Sequence, residues 1–468
     1  MQTTPAVVTT IRVLLLTLFL TVSCSAVASV KDPVELSDTE IKDIVLRTYQ
    51  YVAMYNVNNK FAHVQGGWNT VVADTELKDH TIKEIARPNN DTLYIGCMLD
   101  LRKDPVIIDI PAFDSLYVSL MVTGYDHYVN VPLSVTKGDF KKPEKVMFYT
   151  SRTEGYDGKP VEGVDRSFEM TGDFVSAVFR VMPHANDAAL FKKIEGQMQA
   201  VQISTLSEFN GKEAKDFENI TFPVVGQTDL DVYENNFLEV MQFVVNHTTF
   251  DPKDKLDKGL LEVLKPLGVE PGKTYDPKGV TTIDSKKFRA IAEQMRQIKF
   301  ARAMDSAVME EHGMSLFRLK GKIPLHILVL QSVIGPIGLP ATEAIYPPVT
   351  SNNGEPLNAQ NDYIIRMEKD ELPPAIAFWS LTLYDTANGF FIPNDHKKYS
   401  VGENAGMQLN NDGGIDIYVA AKKPDNVPVE NWLPINRQDE VLDILLRIYV
   451  PDLKRYKTWK PPVAEILE

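Results

Sequence analysis

Apolar and polar residues recur along this chain with two different periods. Residues 36–56 open on Ser37-Asp38-Thr39-Glu40, and Ile41, Ile44, Val45, Tyr49, Val52 and Ala53 then fall close to helical spacing. A capped helix is expected there. From Thr92 the period shortens to two. Strands are expected at 92–95, 106–110 and 116–122, punctuated by Pro105, Pro111 and Gly124, and again near 146–149, 167–170 and 175–182. The helical period returns over 185–206, 230–245, 256–267 and 285–309. Asp284 stands where an N-cap belongs, and Gly268-Val269-Glu270-Pro271-Gly272 reads as a helix stop. Beyond about residue 340 short strands resume. Asn410-Asn411-Asp412-Gly413-Gly414 is expected to turn a hairpin between 407–409 and 415–419. These patterns predict an α+β protein. It has two antiparallel domains of β-sandwich or jelly-roll type with an intervening helical layer. The expected divisions are an N-terminal β-rich domain with its leading helix (34–184), a helical region (185–335) and a C-terminal β domain (336–468).

The first residues follow neither period. Arg12 precedes an apolar run over 13–22, and Ala26-Val27-Ala28 supplies the small-x-small pattern of a cleavage site. A signal peptide over residues 1–28 is expected, the run being short for a membrane span. The mature chain would be exported, periplasmic or extracellular, with no transmembrane span. Thr21-Val22-Ser23-Cys24 also approaches a lipidation motif, so anchoring through Cys24 is a second reading. Cleavage leaves Cys97 as the single cysteine, which rules out an internal disulfide and leaves stability to an ordinary core. Cys97 lies in the apolar run Ile95-Gly96-Cys97-Met98-Leu99, where a thiol is usually inert.

The stretch from Ala377 to Asp385 alternates bulky with small or polar residues. Ala344-Ile345-Tyr346-Pro347, Asn431-Trp432-Leu433-Pro434, Leu446 to Pro451 and Trp459-Lys460-Pro461-Pro462 accompany it. Together they resemble domain of unknown function 1214. Arg87-Pro88-Asn89-Asn90-Asp91-Thr92-Leu93-Tyr94, a block ending Phe179-Arg180, residues 197–206 and 267–272 resemble domain of unknown function 1254. The tandem resembles exported bacterial proteins and implies two β-rich domains with helices between them. It implies no established reaction. Residues 330–341 depart from it by lacking a helix bearing Tyr and Arg.

Residues 87–94 form the densest chemical string. Arg87 could clamp a carboxylate or phosphate, Asn89 and Asn90 could bind hydroxyls or carbonyls, and Asp91 could act as a base, with Tyr94 beside them. Turn chemistry explains the same string, with Asn and Asp capping turns and Arg87 paired to Asp91. Trp379, Tyr384 and Trp432, with Tyr449 and Trp459, either line a pocket or fill the C-terminal core. The eight histidines are scattered without metal-ligand spacing, and no metal or cofactor is expected. In Tyr125-Asp126-His127 a strand would point Asp126 away from both neighbours.

A net charge of −14 without a basic stripe argues against nucleic acid. Phosphate-loop, dinucleotide and α/β-hydrolase motifs are absent. The expectation is a small-molecule or carbohydrate-like ligand held in an interdomain cleft. A metal-independent hydrolase or lyase, and an envelope interaction module without a pocket, are the alternatives. The oligomeric state cannot be read from the sequence.

Overall fold

The structure, a computed structural model, describes residues 35–83, 87–217, 220–277, 283–303, 308, 311–335, 337–438 and 440–467. The expected leader, with Cys24, lies outside them. The chain has a mixed α and β architecture with several β-sheets, and helices fill the middle of the sequence.

The leading helix spans Asp38–Val64, and Ser37 and Glu40 close a reciprocal capping box at its start. Every residue from Thr48 to Asn56 is buried, so this helix is enclosed on all sides. It packs against helices Asp229–Asn235, Phe237–Asn246, Lys255–Leu264, Ser285–Ala303 and Leu325–Ile334. Tyr49, Met54, Tyr55, Tyr233, Phe237, Met241, Leu264 and Phe288 share that core. Some of its buried polar groups find partners within the helical core: the Thr48 hydroxyl donates to the Ile44 carbonyl and meets the Tyr233 hydroxyl. The Asp284 carboxylate accepts from the Lys287 amide, as its expected capping role requires. Among the described residues no helix is long and apolar enough to cross a membrane.

Two sheets build the N-terminal half. The first runs in the order Thr70–Asp74, Leu93–Asp100, Phe174–Val181, Val118–Thr123, Val131–Ser134. The second runs Arg166–Met170, Glu144–Thr150, Val106–Ile110, Gln202–Thr205. Leu93, Ile95, Leu120 and Phe179 of the first meet Val106, Ile108, Val146 and Phe148 of the second in one core. The same alternation turns Tyr94, Arg180 and Ser119 to the outer face of the first sheet, side by side across three strands.

The third sheet belongs to the C-terminal half. Its order is Ser400–Gly402, Ala375–Asp385, Leu442–Pro451, Pro348–Ser351, Val463–Ile466, Tyr363–Met367, Ile415–Ala420, Trp432–Pro434. Ala344–Ile345 adds to Leu442–Pro451. The two end strands approach one another, so the sheet nearly closes into a barrel. The turn at 410–414 forms as expected, with Gly413 at φ +89 and its amide bonded to the Asn410 carbonyl. The hairpin does not. Ile415–Ala420 pairs with Tyr363–Met367 and, in parallel, with Trp432–Pro434.

Cys97 is fully buried in the first sheet's core, and burial pushes its thiol up to about 12. Iodoacetamide should therefore leave Cys97 unmodified in the native protein and label it after urea unfolding. Peptide mass spectrometry reads both states, and native-state labelling would reinstate Cys97 as a reactive group.

Candidate functional site

The polar cluster arises where two sheets face each other across the domain boundary. On the C-terminal side the strands Ala375–Asp385 and Leu442–Pro451 are antiparallel neighbours. Phe378 stands opposite Tyr449, Ser380 opposite Arg447 and Tyr384 opposite Asp443. Alternation sends Trp379, Leu381, Leu383, Ile444, Leu446 and Ile448 into the barrel core. It leaves Ser380, Thr382, Tyr384 and Arg447 on the other face, and all four are buried. Something must cover them, and the loop from Arg87 to Thr92 does so.

Several polar groups of that loop are bonded to the opposite half. Arg87, held at φ +53, donates from Nε and Nη2 to Asp443 Oδ2 at 2.7 and 2.6 Å. The Pro88 carbonyl accepts from the Tyr384 hydroxyl at 2.6 Å. Asn89 Oδ1 accepts from the Asp91 amide at 2.7 Å, the turn chemistry expected of it. Asn89 Nδ2 donates to the Tyr449 hydroxyl at 2.8 Å. Asp91 Oδ2 accepts from Ser380 Oγ at 2.5 Å.

Arg447 closes the group. Its Nη1 donates to Thr382 Oγ1 at 2.7 Å, and its Nη2 to the Tyr384 hydroxyl at 2.6 Å and the Arg87 carbonyl at 3.2 Å. Burial raises the Asp91 carboxyl above the usual range against the opposing pull of Arg447, Ser380 and Ser400. Burial likewise lifts the Tyr384 phenol to about 12. For Arg447 burial opposes the charge, and Tyr384 and Asp91 outweigh it.

The expected site residues divide. Arg87, Asn89, Asp91 and Tyr384 come together at the seam. Arg87 does not pair with Asp91, because its side chain reaches Asp443 on the other domain. Asn90 is half-buried, and its Oδ1 has no donor among the described residues. Tyr94 is half-buried with its ring 5.7 Å from the Arg180 guanidinium. Trp379 faces the C-terminal core. Trp432 donates its indole N–H to the Ala420 carbonyl and meets the His396 ring. Tyr125-Asp126-His127 forms a turn and no strand, with His127 at φ +64. All three are buried, and His127 Nδ1 meets the Ser332 hydroxyl at 2.8 Å.

Sequence reasoning missed Ser380, Arg447, Arg180 and Tyr346 as site groups. A signal existed for two of them: Arg180 is the single charge of an otherwise apolar strand, and Arg447 is a lone cation in a strand whose other charge is Asp443. Arg180, 5% exposed, stands next to Tyr94 on the first sheet, and Tyr346, 43% exposed, lies beside both arginines at the margin of the seam.

A separate cavity of about 430 Å³ opens in the N-terminal half, lined by Trp68, Asp100, Arg102, Ile203, Phe217 and Phe222 among others. Its guanidinium, Arg102, is bonded to both oxygens of Asp100.

Fold and seam define a protein of mixed α and β architecture with several sheets, one of them nearly closed. Residues 68–202 match the family described as a protein of unknown function (DUF1254), and residues 343–453 match that described as a protein of unknown function (DUF1214). The chain belongs to the proteins that carry these two domains in tandem. Its fold is similar to the crystal structure of the VPA0106 protein from Vibrio parahaemolyticus. The TM-score is 0.70 at 24% identity over 92% of this chain and 100% of that one. A putative uncharacterized protein from Burkholderia cenocepacia matches at 12% identity over 92% and 94% of the two chains, with a TM-score of 0.41. No curated protein matches the chain.

Glu403 makes the seam sensitive to pH. It follows Ser400–Gly402, and its Oε2 accepts from the Trp379 amide at 2.9 Å. Burial, reinforced by the Asp91 charge, pushes its carboxyl up to about 7. The folded protein therefore binds this proton more tightly than the unfolded chain does. That contribution to stability is full below the unfolded value near 4.5 and is lost as pH rises through about 7. Glu403→Gln keeps an acceptor for Trp379 and removes the titration. The melting temperature of wild type should fall relative to this variant as pH rises through that window. Parallel melting-temperature curves from scanning fluorimetry would refute the assignment.

Proposed function

We propose that this chain is an exported protein that binds a small organic ligand at the seam between its two β-rich halves. One observation carries the reading. Polar side chains from both halves converge there, and Tyr94 and Tyr346 at the margin remain partly open to solvent. Boundaries between domains are favoured ligand locations, and aromatic rings with a few placed polar groups are their usual lining. Export is supported by the leader pattern of Arg12, the apolar run and Ala26-Val27-Ala28. In the N-terminal half, two sheets on one core favour a sandwich-like description.

A second reading rests on the 2.5 Å bond between Ser380 Oγ and Asp91 Oδ2. A serine with a carboxylate to take its proton is the start of a hydrolase, without metal. The binding reading is favoured because Asp91 is fully buried between Ser380, the Asn89 turn and Arg447, out of reach of a substrate.

Native mass spectrometry of the mature protein, purified gently from its own envelope, should show a reproducible non-protein mass. The double variant Tyr94→Ala/Tyr346→Ala should fold and lose that mass. Its persistence in the variant would remove the ligand from the seam. Chemical turnover of the released compound by wild type, abolished in Ser380→Ala, would replace binding with hydrolysis.

A further inference from the structure

Arg447 and Arg180, two of the three arginines at the seam, are in different electrostatic situations. Arg447 has Asp91 near it and three hydrogen-bonded oxygens. Arg180 is equally hidden at 5% exposure, and among the described residues it donates from Nη2 to the Ile337 carbonyl at 2.8 Å. Its Nη1 is buried and has no acceptor among the described residues. The groups that act on it most strongly are the phenols of Tyr94, Tyr346, Tyr117 and Tyr449.

Phenols are neutral near pH 7, and burial raises Tyr117 and Tyr449 well above their ordinary range. They supply no countercharge. Of the nearby acids, Asp91 is bonded through Oδ2 to Ser380 and lies near Arg447, and Glu343 pairs with Lys137 at 2.5 Å. Other arginines of the chain behave differently. Arg87, Arg102, Arg152, Arg166 and Arg437 each hold a carboxylate. A guanidinium cannot lose its proton in a protein, so Arg180 is a buried charge without a counter-ion among the described residues.

We propose that Arg180 receives the carboxylate of a small organic monoanion, an inference that rests on the seam being a ligand site. Nη1 can donate to one carboxylate oxygen, and the hydroxyls of Tyr94 or Tyr346 can donate to the other. One uncompensated guanidinium matches one negative charge, and a second would face Asp91. The remainder of the ligand is apolar, because Tyr117, Met182, Leu339, Phe378 and Tyr449 form the hydrophobic cluster beside the site. Entry lies past Tyr94 and Tyr346, the partly exposed phenols that face Arg180.

The test is a thermal-shift and calorimetric comparison of phenylacetate with phenylacetamide and of hexanoate with hexanamide, with sodium chloride as the inorganic control. The carboxylates should raise the melting temperature in a dose-dependent way, and the amides and chloride should not. Arg180→Met should abolish the response, while Arg180→Lys should weaken it and keep the preference for the acid. Unliganded Arg180→Met should melt no lower than wild type, since it removes an unpaired charge.

Equal responses to acids and amides, both lost in Tyr94→Ala/Tyr346→Ala, would overturn the anion and leave the seam as a ligand site. Responses indifferent to that double variant would overturn both readings. Silence of every carboxylate, an equal response to chloride, or a large fall in the melting temperature of Arg180→Met would each overturn the proposal.

Discussion

A carboxylate buried between the two halves of the molecule sets the terms for the rest of the seam. Asp91 is 1% exposed, and placing such a group beside an apolar sheet is costly unless it is hydrogen-bonded and near a positive charge. Both requirements are met from the other domain. Ser380 supplies the hydrogen bond and Arg447 the charge, from facing positions on two paired strands. Arg447 in turn needs acceptors, and it finds them in Thr382, Tyr384 and the Arg87 carbonyl. Each buried polar group thus demands the next. The chain of demands ties the loop at 87–92 to a single register on the C-terminal sheet.

This coupling explains why the C-terminal strands carry two kinds of residue. A nearly closed sheet has an inside, filled by Trp379, Leu381, Leu383 and their partners, and an outside that usually meets water. Here the outer face of Ala375–Asp385 meets the other half of the protein. Ser380, Thr382 and Tyr384 are polar as an exposed face would be, and buried as a core would be. A hydrophobic outer face would have joined the domains without fixing their register. The hydrogen-bonded one specifies it.

Much of the fold was legible because its signals are local. The capping box at Ser37, the strand runs and the turn at Gly413 each depend on a few adjacent residues. What was not legible depends on distant pairing. The segment 415–419 is a strand, but its partners lie at 363–367 and 432–434, and adjacency in sequence pointed to 407–409 instead. The same limit governed the site. Arg87 had a carboxylate four residues away and took Asp443, 356 residues distant. Trp379 was placed correctly by the period-2 reading that sends it to the core, whereas Arg180 and Arg447 were passed over as parts of apolar strands. An arginine in a fully buried strand is rare enough to be a signal by itself.

The seam residues also separate by how completely their hydrogen-bonding capacity is met. Arg87, Asn89, Tyr384 and Arg447 are bonded across the boundary, and their network has the character of a structural joint. Arg180 Nη1 and Asn90 Oδ1 are covered but unmatched among the described residues, and Tyr94 and Tyr346 are partly open. Most residues that looked functional in the sequence hold the halves together, and the unmatched groups lie mainly on the outer face of the N-terminal sheet. A joint and a binding site at one boundary are not in competition. Closing the joint fixes where the Arg180 face lies relative to the C-terminal barrel, which is what a site built from two domains requires. The fold is shared with a structure only 24% identical, and fold alone does not carry function. Chemistry at this boundary must therefore be sought in the groups that the joint leaves unmatched.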